Sequence, residues 1–269
     1  MSEKLLLKVP VEVFEGGNWI KTEAAIYSSY IQLGKKEIQF KQIRDLEYSY
    51  LNDQEAVKIL ADSEYYINFG KYQKQVFRFL AFNLKADKFA VYFISPAIRG
   101  GVIVSNAKWE KGYLAITENA LWFLSPNKQV RIALEYLGSV GKEKRSVGGK
   151  QRVVLKLTHV DNNEVIVSYV LCPETTLEML EQYINQLIEQ QKPKEKLSEI
   201  EEQVLTMIYS GVDSSSIESI LGISTEELNK IYDKLINLGL ARLVKIRKEV
   251  ELTPRGVSFV DDIMKKAVR

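Results

Sequence analysis

The sequence is poor in the residues that build metal sites and redox centres. Its 269 residues include one cysteine, Cys172, and one histidine, His159. A single cysteine excludes an internal disulfide and a thiolate cage for a metal, and His159 would have to act alone as a general base. His159 precedes a turn, so we expect an exposed or half-buried residue at a strand end. We therefore expect no metal site and no cofactor.

The sequence also lacks a membrane-spanning run and a strong net charge. No uncharged apolar stretch approaches the roughly 18 residues that a transmembrane helix needs. The first residues, MSEKLLLKVPVEV, carry charges within their only apolar run, unlike a signal peptide. The formal net charge is +2, so no overall field favours nucleic acid or an anionic membrane. We expect a cytoplasmic protein.

Motifs of the common enzyme classes are missing as well. The sequence contains no G-x-x-x-x-G-K-[S/T], no G-x-G-x-x-G and no G-x-S-x-G. The carboxylate pairs Glu201-Glu202 and Asp261-Asp262 fall on predicted helix surfaces, where solvation alone explains them. We expect a protein that is not an enzyme.

One stretch of the sequence is present twice. The segment that begins WIKTEAAI at Trp19 matches the segment that begins WEKGYLAI at Trp109, with a constant spacing of 90 residues. After a two-residue insertion the match resumes, with Lys36, Ile38 and Phe40 against Lys128, Val130 and Ile132. Such a self-match predicts two copies of one small domain.

Three tryptophans belong to this repeat. Because Trp19 and Trp109 occupy matched positions at the start of a strand, we expect both to be core residues. Trp122 alternates with Leu121 and Phe123, which predicts an aromatic side chain on the outer face of its strand.

The pattern within the two copies is that of antiparallel strands. In the first copy we expect a hairpin from residues 76–84 and 89–94, which are rich in Phe, Tyr and Val, while residues 51–62 fit a short helix or a strand. The second copy ends in an amphipathic helix from Pro173 to about Gln190. Several strands followed by one such helix is the arrangement of a pleckstrin-homology-like (PH-like) domain.

The composition changes after a polar linker at residues 192–196. Apolar residues at helical spacing follow, and Ser224 with Glu227 forms a capping box before a third helix. A small hairpin (240–252) and a last helix complete the order of a winged helix-turn-helix. The predicted fold class is α+β, with tandem PH-like β-barrel or sandwich domains at 1–98 and 99–191 and an all-α winged helix-turn-helix domain at 197–269.

Basic residues cluster in two places. The stretch GKEKRSVGGKQR (141–152) has five cations against one acid, and its glycines predict a flexible loop; the predicted wing holds the second cluster. The candidate protein-binding residues are Lys142, Lys144, Arg145, Lys150, Arg152, Arg242, Lys245, Arg247 and Lys248. A basic loop suits an acidic protein, a phosphate or a lipid headgroup, although a solvated hairpin tip explains the same residues without a partner.

The charge of the C-terminal region disfavours DNA. Residues 197–269 contain ten Lys and Arg and twelve Asp and Glu. The helix that would enter the major groove has Glu226, Glu227 and Asp233 against two lysines, and phosphate neutralisation supplies most non-specific affinity. The basic wing keeps a DNA-binding transcriptional regulator as the alternative function. A lipid-headgroup binder ranks last. Few basic residues lie in the turn between the first two strands of a copy, which is residues 16–18 in the first copy.

The whole pattern resembles a known family, the archaeal taxis adaptor CheF. The features that carry this resemblance are W-x-x-x-E-A-A-I-x-x-x-x-I-x-L (19–33), I-x-F-x-x-I-x-D-L-E-Y (38–48), the repeated β domain and L-T-P-R-G (252–256). The resemblance implies an adaptor that binds the response regulator CheY, with CheC and CheD, on one side and cytoplasmic archaellum motor proteins on the other. It implies contact with a membrane only through the motor, and it supplies no site residues.

Overall fold

The computed structural model describes residues 3–162, 164–191, 195–241 and 243. It consists of two antiparallel sheets followed by helices, so the predicted α+β class is confirmed. The chain divides into two compact units, residues 1–192 and 193–269, and each is described by itself.

The first β module comprises seven strands and a helix, with the sheet order β4-β3-β2-β1-β7-β6-β5. Alternate residues of β1, namely Val9, Val11 and Val13, are buried, as expected for a strand with one face on the core. The elements are β1 (Leu5–Glu15), β2 (Asn18–Tyr27), β3 (Tyr30–Leu33), β4 (Lys36–Gln39), β5 (Asp45–Leu51), β6 (Gln54–Leu60), β7 (Glu64–Asn68) and α1 (Gln73–Asn83).

The second β module repeats this arrangement, with the order β12-β11-β10-β8-β15-β14-β13 and a short extra strand, β9, paired with β8. Leaving β9 aside, the strand order is the same in both modules, and each module ends in a helix. The elements are β8 (Asp87–Arg99), β9 (Val102–Ile103), β10 (Glu110–Ile116), β11 (Ala120–Leu124), β12 (Gln129–Ala133), β13 (Leu137–Val147), β14 (Lys150–Asp161), β15 (Glu164–Leu171) and α2 (Glu174–Gln191).

The predicted hairpin of residues 76–84 with 89–94 is wrong. Residues 73–83 form α1, because Val76, Phe77 and Leu80 recur at helical spacing and are buried together. Strand β8 pairs with β10 and β15, so residues 87–98 lie in the second sheet and not in the first. The undecided stretch 51–62 turns out to be strand, with a turn at Asn52 and Asp53, both at positive φ.

The register of the repeat also differs from the expected one. Ile31 faces Ile38 in the first module, and Leu121 faces Ile132 in the second. Ile38 is therefore equivalent to Ile132 and not to Val130, so the spacing rises from 90 to 94 residues. The turn between β11 and β12 is longer than the turn between β3 and β4, and it accounts for part of these four additional residues.

A shared apolar cluster joins the two modules. Strand β11 is buried on both faces, because Leu121 and Phe123 point into the second core while Trp122 packs into the core of the first module. The Trp122 ring lies 6.0 Å from the Phe77 ring of α1. Trp122 does face outward from its own sheet, as predicted, but it is fully buried by the neighbouring module.

An ion pair accompanies this join. Asp45 of β5 is buried and accepts hydrogen bonds from two nitrogens of Arg131 of β12. Hydrogen bonding to Asp45 raises the pKa of Arg131. The other terminal guanidinium nitrogen of Arg131, Nη1, lies 3.6 Å from Glu47 Oε2. Because a buried charge is costly without its partner, this pair fixes how the modules meet.

The matched tryptophans and the histidine differ from expectation. Trp19 and Trp109 are half-buried; Trp19 packs edge-on against Phe14, and Trp109 packs on an outer cluster of the second sheet. Neither lies in the main cores, so that prediction is wrong. His159 is buried rather than exposed, with its Nε2 3.3 Å from Ser168 Oγ, and burial lowers the pKa of His159 to about 4.

The described part of the C-terminal unit contains three helices, α3 (Glu199–Tyr209), α4 (Ser214–Leu221) and α5 (Thr225–Asn237). The predicted capping box of Ser224 and Glu227 is confirmed. Helix α4 is capped by Asp213, whose side chain accepts a hydrogen bond from the backbone N–H of Ser216. The wing from residue 244 onward and the predicted last helix lie outside the described residues.

Replacing Trp122 with alanine is expected to lower the free energy of unfolding by about 3–5 kcal/mol, since it leaves a cavity between the modules. Trp122→Phe is expected to cost much less, because it keeps an aromatic ring and removes a buried indole N–H that has no hydrogen-bond partner among the described residues. Urea unfolding followed by circular dichroism measures both. An alanine variant as stable as the parent would contradict the conclusion that Trp122 holds the two modules together.

The free energy of unfolding should fall in acid because His159 is buried in its neutral form. The folded protein holds a neutral imidazole, so the unfolded chain takes up the proton first as the pH drops below about 6.5. The free energy of unfolding then decreases by about 3 kcal/mol down to the folded pKa of about 4. Urea titrations at several pH values should show this decrease in the parent and its loss in His159→Gln; equal slopes would contradict it.

Candidate protein-interaction surfaces

The predicted basic loop is a β-hairpin. Residues 141–152 lie in β13 and β14, with a tight turn at Gly148-Gly149, both at positive φ. Because side chains alternate along a strand, the five cations divide between two faces. Lys142 and Lys144 lie on one face. The opposite face carries Arg145, Lys150 and Arg152.

Two of these cations are held by the second module itself. Lys142 Nζ lies 3.2 Å from Glu181 Oε2 and 3.4 Å from Glu178 Oε1 on α2. The hydrogen bond to Glu181 raises the pKa of Lys142. Arg145 pairs with Glu143 at 2.8 Å, donates a hydrogen bond to the Tyr169 hydroxyl and lies 4.2 Å from the centre of that ring.

The other three cations are available to a partner. Lys144, Lys150 and Arg152 are exposed, and none of them makes an ion pair within the described ranges. All three lie near the hairpin tip. We name this set the free hairpin cations.

The cations of α5 are neutralised. Lys230 Nζ lies 2.9 Å from Glu226, and Lys234 Nζ lies 2.9 Å from Glu195 and 3.0 Å from Glu201. Each lysine of this helix therefore already has an acidic partner. The predicted wing residues Arg242, Lys245, Arg247 and Lys248 lie outside the described residues.

Exposed apolar residues that sequence reasoning missed lie at one end of the second sheet. Val102 and Ile103 of β9 are 69% and 71% exposed, and the cross-strand pair Val160 and Val165 is also exposed. Arg99 of β8 anchors this end through ion pairs of 2.8 Å to Glu164 and 3.1 Å to Asp161. The only sequence signal was the apolar run GVIV after β8.

The described residues contain no group of three or more His, Cys, Asp or Glu side chains placed to hold a metal ion. Burial raises the pKa of the Cys172 thiol to about 11, so it is protonated near neutral pH. Among the helices of the described part of the chain, none has the length and apolar character to cross a membrane.

Two family models and a curated relative match parts of the chain. A family model described as archaeal chemotaxis signal transduction system protein F (CheF-arch) matches residues 30–190. A second model, a domain of unknown function (DUF8579), matches residues 196–265. Over 169 residues the chain is 30% identical to Taxis protein CheF1 of Halobacterium salinarum, covering 62% of this chain and 58% of that protein.

The second module repeats the strand order of the first, and the modules expose charged and apolar side chains. The chain belongs to the archaeal CheF family, whose model matches more than half of its length. That model is described as a protein of archaeal chemotaxis signal transduction, and the relative is named a taxis protein. The chain spans 58% of the length of the curated relative that it matches.

Arg145 and Arg152 allow a matched test of which hairpin cations are structural. Arg145→Ala is expected to cost about 1 kcal/mol of stability, since it removes a cation–π contact and an ion pair. Arg152→Ala, on the same face, is expected to change stability by less than about 0.5 kcal/mol. Urea unfolding of both variants checks this, and equal costs would show that the pairing of Arg145 contributes nothing.

Proposed function

We propose that the protein is a non-enzymatic chemotaxis adaptor in the cytoplasm. It couples the phosphorylated response regulator CheY, together with CheC and CheD, to accessory proteins at the cytoplasmic switch of the archaellum motor. The observation that carries this proposal is membership of the CheF family, which supports a role in chemotaxis. The resemblance of the sequence to taxis adaptors supplies the partners.

The geometry supports a scaffold. Apart from the extra strand β9, each β module has seven strands in one order and a closing helix, and we propose that both are PH-like domains and that the C-terminal unit is a winged helix-turn-helix. Because Trp122 and Arg131 tie the two β modules together, surfaces on the two modules keep fixed positions. The free hairpin cations are our proposed contact for an acidic partner.

Within the described residues, nothing favours the alternative of a DNA-binding regulator. A recognition helix needs cations that can reach phosphates and base edges. Lys230 and Lys234, the cations of α5, are both in ion pairs. We therefore propose protein docking for the C-terminal unit, and contact with the membrane only through the motor.

The adaptor proposal is tested by titrating the protein with CheY from the same organism, with and without beryllium fluoride as a phosphate mimic. Tighter binding with the mimic is the expected result. No binding in either state, together with a salt-sensitive mobility shift of DNA, would replace the proposal with the transcriptional regulator.

Charge reversal at Lys144, Lys150 and Arg152 to glutamate is expected to weaken binding of an acidic partner by about tenfold or more and to reduce its salt dependence. A control variant with the same net charge reverses Lys21, Lys35 and Lys41, which are exposed on the first module. Calorimetry with CheY, CheC, CheD and the motor proteins measures the effect. Unchanged binding of every partner would remove the hairpin from the proposed contact.

A further inference from the structure

A groove lies in the first β module between helix α1 and the start of strand β1. Its volume is about 320 Å³, and six of its eight lining residues are apolar, including Leu6, Phe79 and Phe82. Leu6 is nearly half exposed, and both phenylalanines are half-buried. The groove thus offers apolar side chains to the outside, on the side of α1 where Trp122 does not pack.

The charged residue among those that line the groove, Arg78, is a cation. Helix α1 carries Lys74 and Arg78 and has no acidic residue. Lys74 makes no ion pair in the described structure, and Arg78 donates only to the Pro126 carbonyl, at 3.2 Å, which leaves its charge unneutralised.

The strand beside the groove has a free edge. Strand β1 pairs with β2 along its length, but it pairs with β7 only at Glu12 and Val13. In the described structure the second edge of residues 5–11 therefore has no strand partner. A free strand edge is where an extended peptide adds by main-chain hydrogen bonds, with alternate side chains entering a neighbouring pocket.

We propose that this groove binds an extended segment of a partner protein in which apolar residues are flanked by acidic ones. The apolar side chains enter beside Leu6, Phe79 and Phe82, and the acidic ones meet Lys74 and Arg78. The main chain pairs with the free edge of β1. This site goes beyond the adaptor proposal, because it rests on neither the hairpin nor CheY.

The test is fluorescence anisotropy of the full chain with a short labelled peptide in which leucine alternates with aspartate. The expected result is saturable binding that the same peptide with lysine for aspartate does not show. Leu6→Asp is expected to weaken binding by about tenfold. The matched control Ile20→Asp, at an equally exposed position on β2, should leave it unchanged. Circular dichroism confirms that both variants fold.

Two further measurements separate the contributions. The double variant Lys74→Glu with Arg78→Glu is expected to reverse the preference toward the lysine peptide. A peptide methylated on alternate backbone nitrogens is expected to lose binding in one of its two registers, since main-chain pairing uses every second N–H.

Several outcomes would overturn the proposal. These are no saturable binding, equal binding of both peptides, or equal binding by the Leu6→Asp variant. A parent protein that is dimeric and becomes monomeric on Leu6→Asp would assign the groove to a second copy of this chain instead. The titration with CheY is independent, so failure here leaves the adaptor proposal intact.

Discussion

The structure depends on the burial of one strand from both sides. Strand β11 contributes Leu121 and Phe123 to its own core and Trp122 to the core of the preceding module. The two modules, which would otherwise be separate domains joined only by the polypeptide chain, therefore bury apolar surface against each other. The Asp45–Arg131 pair then selects one orientation, because any other would leave a charge buried without its partner. Rigidity between the modules follows from these contacts and not from the linker.

The elements that local patterns define were predictable from sequence. The repeat beginning at Trp19 and Trp109 predicted the two modules, and helical spacing predicted α2. The capping box at Ser224 predicted the start of α5. Helix α1 was missed because its phenylalanines have high strand propensity, whereas its 3.6-residue periodicity decides the fold. Strand β8 was then assigned to the wrong copy.

Long-range contacts explain the rest of the discrepancies. Nothing near Trp122 in the sequence says that another module will cover it, although the run ALWFL is typical of a strand buried on both faces. The same holds for the hairpin. Lys142 and Lys144 look alike in sequence, but α2 supplies two carboxylates to the first and none to the second. The position of the basic hairpin was thus predictable from the sequence. Which of its cations remain free of ion pairs was not.

The join between the modules has a consequence for assembly. The modules meet through unlike faces, and repeats that meet in this way extend indefinitely whenever every copy carries both faces. Here the position 90 residues before Trp122 is Gln32, a polar residue on the outer face of β3. The first module therefore has no aromatic side chain at the position from which Trp122 of the second module packs into a neighbouring core. Opposite Gln32 lies Glu37, where the second module has Arg131 opposite Trp122, so the first module lacks both residues of the join.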